Sequence, residues 1–308
     1  MHPCWRRSRP VETTRYIAAS LACGLVAVFA SENLFWSAPR EEPSVVGFLL
    51  GWLVYAFGCA CALSAVSWSG LGGARGLFLG GAVLGWVVEG VVVDTTYDAF
   101  PLQLVWTPLA WHALLTALLV FGSGRVAGAR GVFMTLGAGA TCGLFALWWP
   151  IERGAMPPFV EVAAYLGIGG LTLPIGHAIL NRVHTVPRPR RAVLAVAPAI
   201  AALVWIVKGV LAPSPAKLAL PIVLGLTLWT MRRLGADAPV TFGDPPGPAR
   251  LVLTMAIPLL TLVVATTGWA AFPAGVPVNV PFALTTGAIG LGLWCHASWR
   301  AWARPRGG

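Results

Sequence analysis

Long apolar runs alternate along this chain with short charged or Pro/Gly-rich breaks, and the runs are continuous rather than alternating with the period of two that a half-buried strand shows. Reading between the breaks predicts ten helical spans, at 15–36, 45–68, 76–93, 102–121, 132–150, 159–180, 192–211, 216–231, 251–271 and 280–299. Most approach the ~20 apolar residues a helix needs to cross a bilayer. The eighth is short and is expected to begin as early as Pro213, to tilt, or to be partly re-entrant. The expected fold is all-α, a polytopic transmembrane helical bundle of about ten spans, with residues 1–308 as a single integral membrane domain. A β-barrel would need short segments of alternating hydrophobicity, which are missing from this pattern.

Composition sharpens this picture. Of 308 residues, 57% are hydrophobic and only 10% charged, and the mean hydropathy is +0.77; a soluble domain carries about a quarter charged residues. The net charge of +10 is spread unevenly. If the N-terminus is inside, 17 of the 21 Lys and Arg fall in inner segments, and only Arg40, Arg153 and Lys217 lie in outer loops, with Lys208 inside a span. Short cytoplasmic loops carry such an excess, so both termini are expected in the cytoplasm and the protein in the cell membrane. The charge therefore reads as a topology signal rather than as nucleic-acid binding. Arg6, Arg7 and Arg9 before an apolar run resemble a signal peptide, but the run is long enough to span, so a retained first helix is expected. The scattered cysteines match no zinc or redox spacing.

Against this apolar background the acids stand out. Glu32, Glu89 and Glu152 each lie near the end of a span, with Phe29, Trp86 and Trp149 three residues earlier, a spacing that shares one helix face. Carboxyl groups inside a membrane are costly and mark functional sites by default. Glu32 precedes Tyr55 by 23 residues, Glu89 precedes His112 by 23, and Glu152 precedes His177 by 25. This spacing outlines repeated two-helix units at 15–68, 76–121 and 132–180, followed by the remaining spans over 192–299. At 1.5 Å per residue Glu89 lies ~6 Å and His112 ~15 Å below the outer ends of their spans, within side-chain reach, whereas His177 at ~27 Å is a poor partner for Glu152.

The densest polar segment runs from Glu89 through Asp94, Tyr97 and Asp98 to Trp106, Pro108, Trp111 and His112. Pro108 lacks the N–H that would meet the Leu104 carbonyl, which frees an acceptor inside the helix. His112 titrates near neutrality when unperturbed and can exchange protons. The expected catalytic residues are Glu89, as proton donor or acceptor, and His112. Glu32, Trp86, Tyr97, Trp106, Trp111 and Glu152 are the expected substrate-binding residues, while Asp94 and Asp98 read as solvated loop.

No metal or cofactor is expected, because too few His and carboxylate ligands converge and no HxxxH pair occurs. GxxxxGK[ST] and GxSxG are also missing. The leading expectation is an intramembrane enzyme acting on an apolar lipid or isoprenoid-like substrate by proton transfer at an outer-leaflet site. The alternatives are a proton-coupled secondary transporter of a small molecule and a membrane scaffold or assembly subunit. Membrane lipid and an apolar small-molecule substrate are the expected partners, with no nucleic acid; the pattern specifies no oligomeric state.

Overall fold

A computed structural model describes residues 9–40, 44–236 and 238–305. Arg6, Arg7 and Arg306, which enter the cation count above, lie outside the described residues. Among the described residues the architecture is helical, and the only extended pairing is an isolated bridge between Thr185 and Thr241. Among the described residues nine helices are long and apolar enough to cross a membrane, the pattern of a polytopic helical membrane protein. In chain order the helices are α1 (Pro10–Trp36), α2 (Val45–Ser69), α3 (Gly73–Val93), α4 (Leu102–Arg125), α5 (Gly128–Arg153), α6 (Phe159–Val183), α7 (Arg191–Leu211), α8 (Ala219–Leu234), α9 (Pro248–Ala271) and α10 (Asn279–Trp302). At 16 residues α8 falls short of the spanning length, as its short apolar run foreshadowed.

Local chemistry sets the ends. The Ser44 hydroxyl caps α2 by accepting from the Gly47 N–H at 2.9 Å. The same helix stops at Gly70, whose φ of 70° lies in the left-handed region. Asp94 closes α3 in the left-handed conformation too, at φ 74°, a role short polar side chains tolerate.

Helix α1 packs between α2 and α6, α3 lies along α4, α5 along α9, and α10 against α4 and α8. With lipid outside, burial of apolar surface cannot drive this association, so close packing and internal hydrogen bonds must. Glycine provides the closest approach. A Cβ on Gly85 would stand 2.5 Å from Pro108 Cα, and one on Gly81 would stand 2.8 Å from Ala113 Cα. These two residues form a GxxxG pair that presses α3 onto α4. Phe29, Trp86, Trp111 and Phe145 fill the interior, while Leu50, Leu53, Val210 and Ile222 stay exposed on the outside.

The two ends of the bundle differ in charge. One end gathers Arg15, Arg125, Arg188, Arg233, Arg250 and Arg304, joined through carbonyls such as those of Val183, Ser123 and Ala238. The other holds Arg40, Arg153, Lys208 and Lys217 beside Trp36, Asp94 and Glu152. These are called the arginine end and the glutamate end below.

Candidate functional site

Three stretches among the described residues are π-helical: Phe29–Asn33, Val88–Val93 and Trp106–Phe121. Such winding accounts for well under 1% of residues in soluble proteins and concentrates at functional sites. Part of its cause is legible in Pro108, which has no N–H to give and whose ring crowds the carbonyl four residues back. The Leu104 carbonyl freed there accepts a 2.9 Å hydrogen bond from Trp86 Nε1.

Each π-helical stretch contributes to one buried polar network. His112 Nε2 lies 2.9 Å from Glu89 Oε1, and His112 Nδ1 lies 3.1 Å from Ser31 Oγ. Ser31 Oγ is in turn 3.0 Å from Thr116 Oγ1. The Thr95 hydroxyl donates to the second oxygen of Glu89. A second arm begins one residue on from Ser31: Glu32 accepts from Tyr55 OH at 2.8 Å and from Trp36 Nε1 at 3.2 Å. The Tyr55 ring stands 6.1 Å from the His112 ring, which brings the two arms side by side. His112 is 1% exposed, so the imidazole works away from bulk water.

Both 23-residue spacings are thus physical contacts, Glu32 with Tyr55 and Glu89 with His112. The packing explains why: Gly85 lets His112 approach α3, and Gly24, whose Cβ would lie 2.7 Å from Ala56 Cα, seats α1 equally close on α2. The third spacing makes no such pair. Glu152 sits at the glutamate end, while His177 is buried at the arginine end, where its Nδ1 accepts from Arg125 Nε at 3.1 Å.

An imidazole bonded through both nitrogens can pass a proton without turning. Uptake at Nε2 from Glu89 is balanced by release from Nδ1 to Ser31 Oγ, which hands its own proton to Thr116, and Thr116 in turn releases its own to an acceptor in the cavity it lines; the reverse sequence restores the start.

Several expectations need correction. The indoles three residues before Glu89 and Glu152 hydrogen-bond elsewhere, Trp86 to the Leu104 carbonyl and Trp149 to the Phe35 carbonyl, while Glu32 accepts from Trp36, four residues later on the same helix. The expected substrate-binding residues do not share one pocket. Trp111 is core, with Nε1 on the Ala30 carbonyl at 3.1 Å. Trp86 stacks edge-on to Trp294 at 6.0 Å. Tyr97 donates to the Gly90 carbonyl at 2.8 Å, and burial pushes its phenol up to about 12. Trp106 and Glu152 line a cavity of about 600 Å³ at the glutamate end with Phe35, Trp36 and Arg153. Asp94 is not free loop either. It pairs with Lys208 at 2.9 Å and Lys217 at 3.5 Å, while Lys208 Nζ also caps the Val92 carbonyl at 2.9 Å. Asp98 is exposed.

Sequence reasoning passed over Ser31, Thr95 and Thr116, which hold Glu89 and His112 in place. Two signals pointed to them: Thr116 is four residues from His112, and Ser31 adjoins Glu32. Among the described residues no three His, Cys, Asp or Glu side chains converge as a metal site.

The arrangement is that of a polytopic helical membrane protein with a buried, hydrogen-bonded glutamate–histidine pair between its helices. Comparison with protein families, curated proteins and solved structures finds no match to this chain.

Proposed function

We propose that this chain is a proton-coupled membrane transporter of an apolar or amphiphilic small molecule, with Glu89 and His112 as the groups whose protonation is coupled to its movement. One observation carries the reading. Two cavities entering from opposite ends of the bundle stop at opposite arms of the same network: Trp36, bonded to Glu32, lines the cavity at the glutamate end, and Thr116, bonded to Ser31, lines a second cavity of about 490 Å³ that reaches the arginine end. Two vestibules divided by a buried titratable layer are what a proton-coupled exchange of access requires. Neither Glu89 nor His112 lines either cavity, which supports a relay acting through its neighbours. In this reading the arginine end and both termini face the cytoplasm, and the membrane is the cell membrane.

The enzyme reading keeps one specific support: a carboxyl group 2.9 Å from a buried imidazole is a competent general acid–base pair, and the cavity walls suit a lipid-like substrate at the layer between them. One experiment separates the readings. Purified protein is given a lipid extract of its native membrane, once in detergent and once in vesicles with an imposed pH gradient, and mass spectrometry follows chemical change and redistribution. The transporter reading expects gradient-dependent redistribution without chemical change, lost in Glu89→Gln, which keeps the shape but cannot titrate. New products in detergent, lost in the same variant, overturn it in favour of the enzyme. Neither effect, with Glu89→Gln altering stability alone, leaves the scaffold.

A further inference from the structure

Arg125 closes the cavity of about 490 Å³ at the arginine end and is only 5% exposed. All its hydrogen bonds go to neutral groups: Nε to His177 Nδ1 at 3.1 Å, Nη1 to Asn181 Oδ1 at 2.8 Å, and Nη2 to the His177 carbonyl at 2.8 Å. Among the described residues no carboxylate pairs with it, and an uncompensated buried cation is unfavourable. The imidazole beside it is also incompletely matched. Arginine can only donate, so His177 Nδ1 is the acceptor and Nε2 carries the hydrogen, yet buried Nε2 has no partner.

A second arginine, exposed Arg130, also lines the cavity, and no Asp or Glu does. Gly72, Gly73 and Ala74 also line it, and there α3 begins with no side chain capping its first turn. Free N–H groups and the positive end of a helix dipole favour an anion at that place. Beyond this cationic mouth the wall turns apolar, through Leu63, Val66, Leu84 and Met134, and the cavity continues between the helices as far as Thr116.

We propose that this cavity binds a single-chain amphiphile with a phosphate head, the head between Arg125, Arg130 and the start of α3, and the chain along Leu63, Val66 and Leu84. Two guanidiniums and a helix N-terminus match a phosphomonoester, with its charge near −2 and three acceptor oxygens, better than a singly charged carboxylate. The volume falls within the range of sites that enclose most of a small molecule. The inference goes beyond the proton-coupling reading and stands even if Glu89→Gln proves inert.

The test uses the full chain in phosphatidylcholine nanodiscs and a dodecyl phosphate with a diazirine at the chain end. Crosslinks are expected on Leu63, Leu84 or Ala117, saturable and displaced by plain dodecyl phosphate. Dodecanoate should displace the probe about tenfold less well, and dodecanol not at all. Arg130→Gln should weaken capture about tenfold, Arg125→Gln more, and Ala62→Trp, which fills the cavity, should abolish it. If Arg125→Gln fails to fold, the Arg130→Gln and Ala62→Trp results decide. Crosslinks confined to outward residues such as Leu50 or Leu53, or equal displacement by dodecanol, overturn the proposal; dodecanoate outcompeting the phosphate overturns the headgroup assignment.

Discussion

Gly85→Ala adds one methyl group where α3 meets α4, and its effect can be worked from the geometry. The new Cβ would lie 2.5 Å from Pro108 Cα, 2.9 Å from His112 Cβ and 3.0 Å from His112 Cδ2. Carbon atoms settle about 3.5 Å apart or more, so α4 must retreat by ~1 Å. His112 Nε2, now 2.9 Å from Glu89 Oε1, would then stand ~3.9 Å away, outside hydrogen-bonding range. Overpacking costs about 1–3 kcal/mol, and a buried polar group left without its partner about 1–3 kcal/mol more.

Unfolding in mixed detergent–SDS micelles measures the total, and a double-mutant cycle isolates the mechanism. If the added methyl group breaks the Glu89–His112 contact, Glu89→Gln should cost less in the Gly85→Ala background than in the native one, by about 1 kcal/mol or more. Gly137→Ala is the control. Nothing lies within 4 Å of its Cβ position inside α5, so stability should hold or rise by about 0.5–1 kcal/mol. Costs for Gly85→Ala and Glu89→Gln that simply add, or a Gly85→Ala protein as stable as the native one, would refute the claim that this glycine sets the distance.

Three further outcomes follow from other contacts. Trp86→Phe keeps most of the ring but leaves the buried Leu104 carbonyl without its donor, and should destabilise by about 1–3 kcal/mol in the same unfolding assay. Asp94→Asn removes the charge shared by Lys208 and Lys217; the Asp94 and Lys208 side chains are each about 30% exposed, so the loss should stay near 1 kcal/mol and shrink in high salt, read as melting temperature against ionic strength. In a background cleared of native cysteine, Ala99→Cys should react with an impermeant maleimide on intact cells and Gly247→Cys only after permeabilisation; the reverse pattern would invert the assignment of sides.

The legible part of this protein is what hydropathy and chain spacing encode. Continuous apolar runs dictate helices because a bilayer leaves backbone groups no water to bond, and the run boundaries fall close to those of the helices. The freed Leu104 acceptor could be read from Pro108 alone, since proline chemistry is local. The pairs of Glu32 with Tyr55 and Glu89 with His112 could be glimpsed because each joins neighbouring helices through one short loop, where chain spacing translates into depth.

Tertiary structure alone decided the rest. Ser31 reaches His112 across 81 residues of chain, and Arg125 reaches His177 across 52, distances over which spacing carries no information about depth or facing. The π winding at Phe29–Asn33, Val88–Val93 and Trp106–Phe121 is announced by no helical period in the sequence. The aromatic residues expected around Glu89 went to separate places for the same reason. An indole inside a membrane needs an acceptor for its N–H, and which carbonyl stands within reach of Trp86 or Trp111 depends on the neighbouring helix.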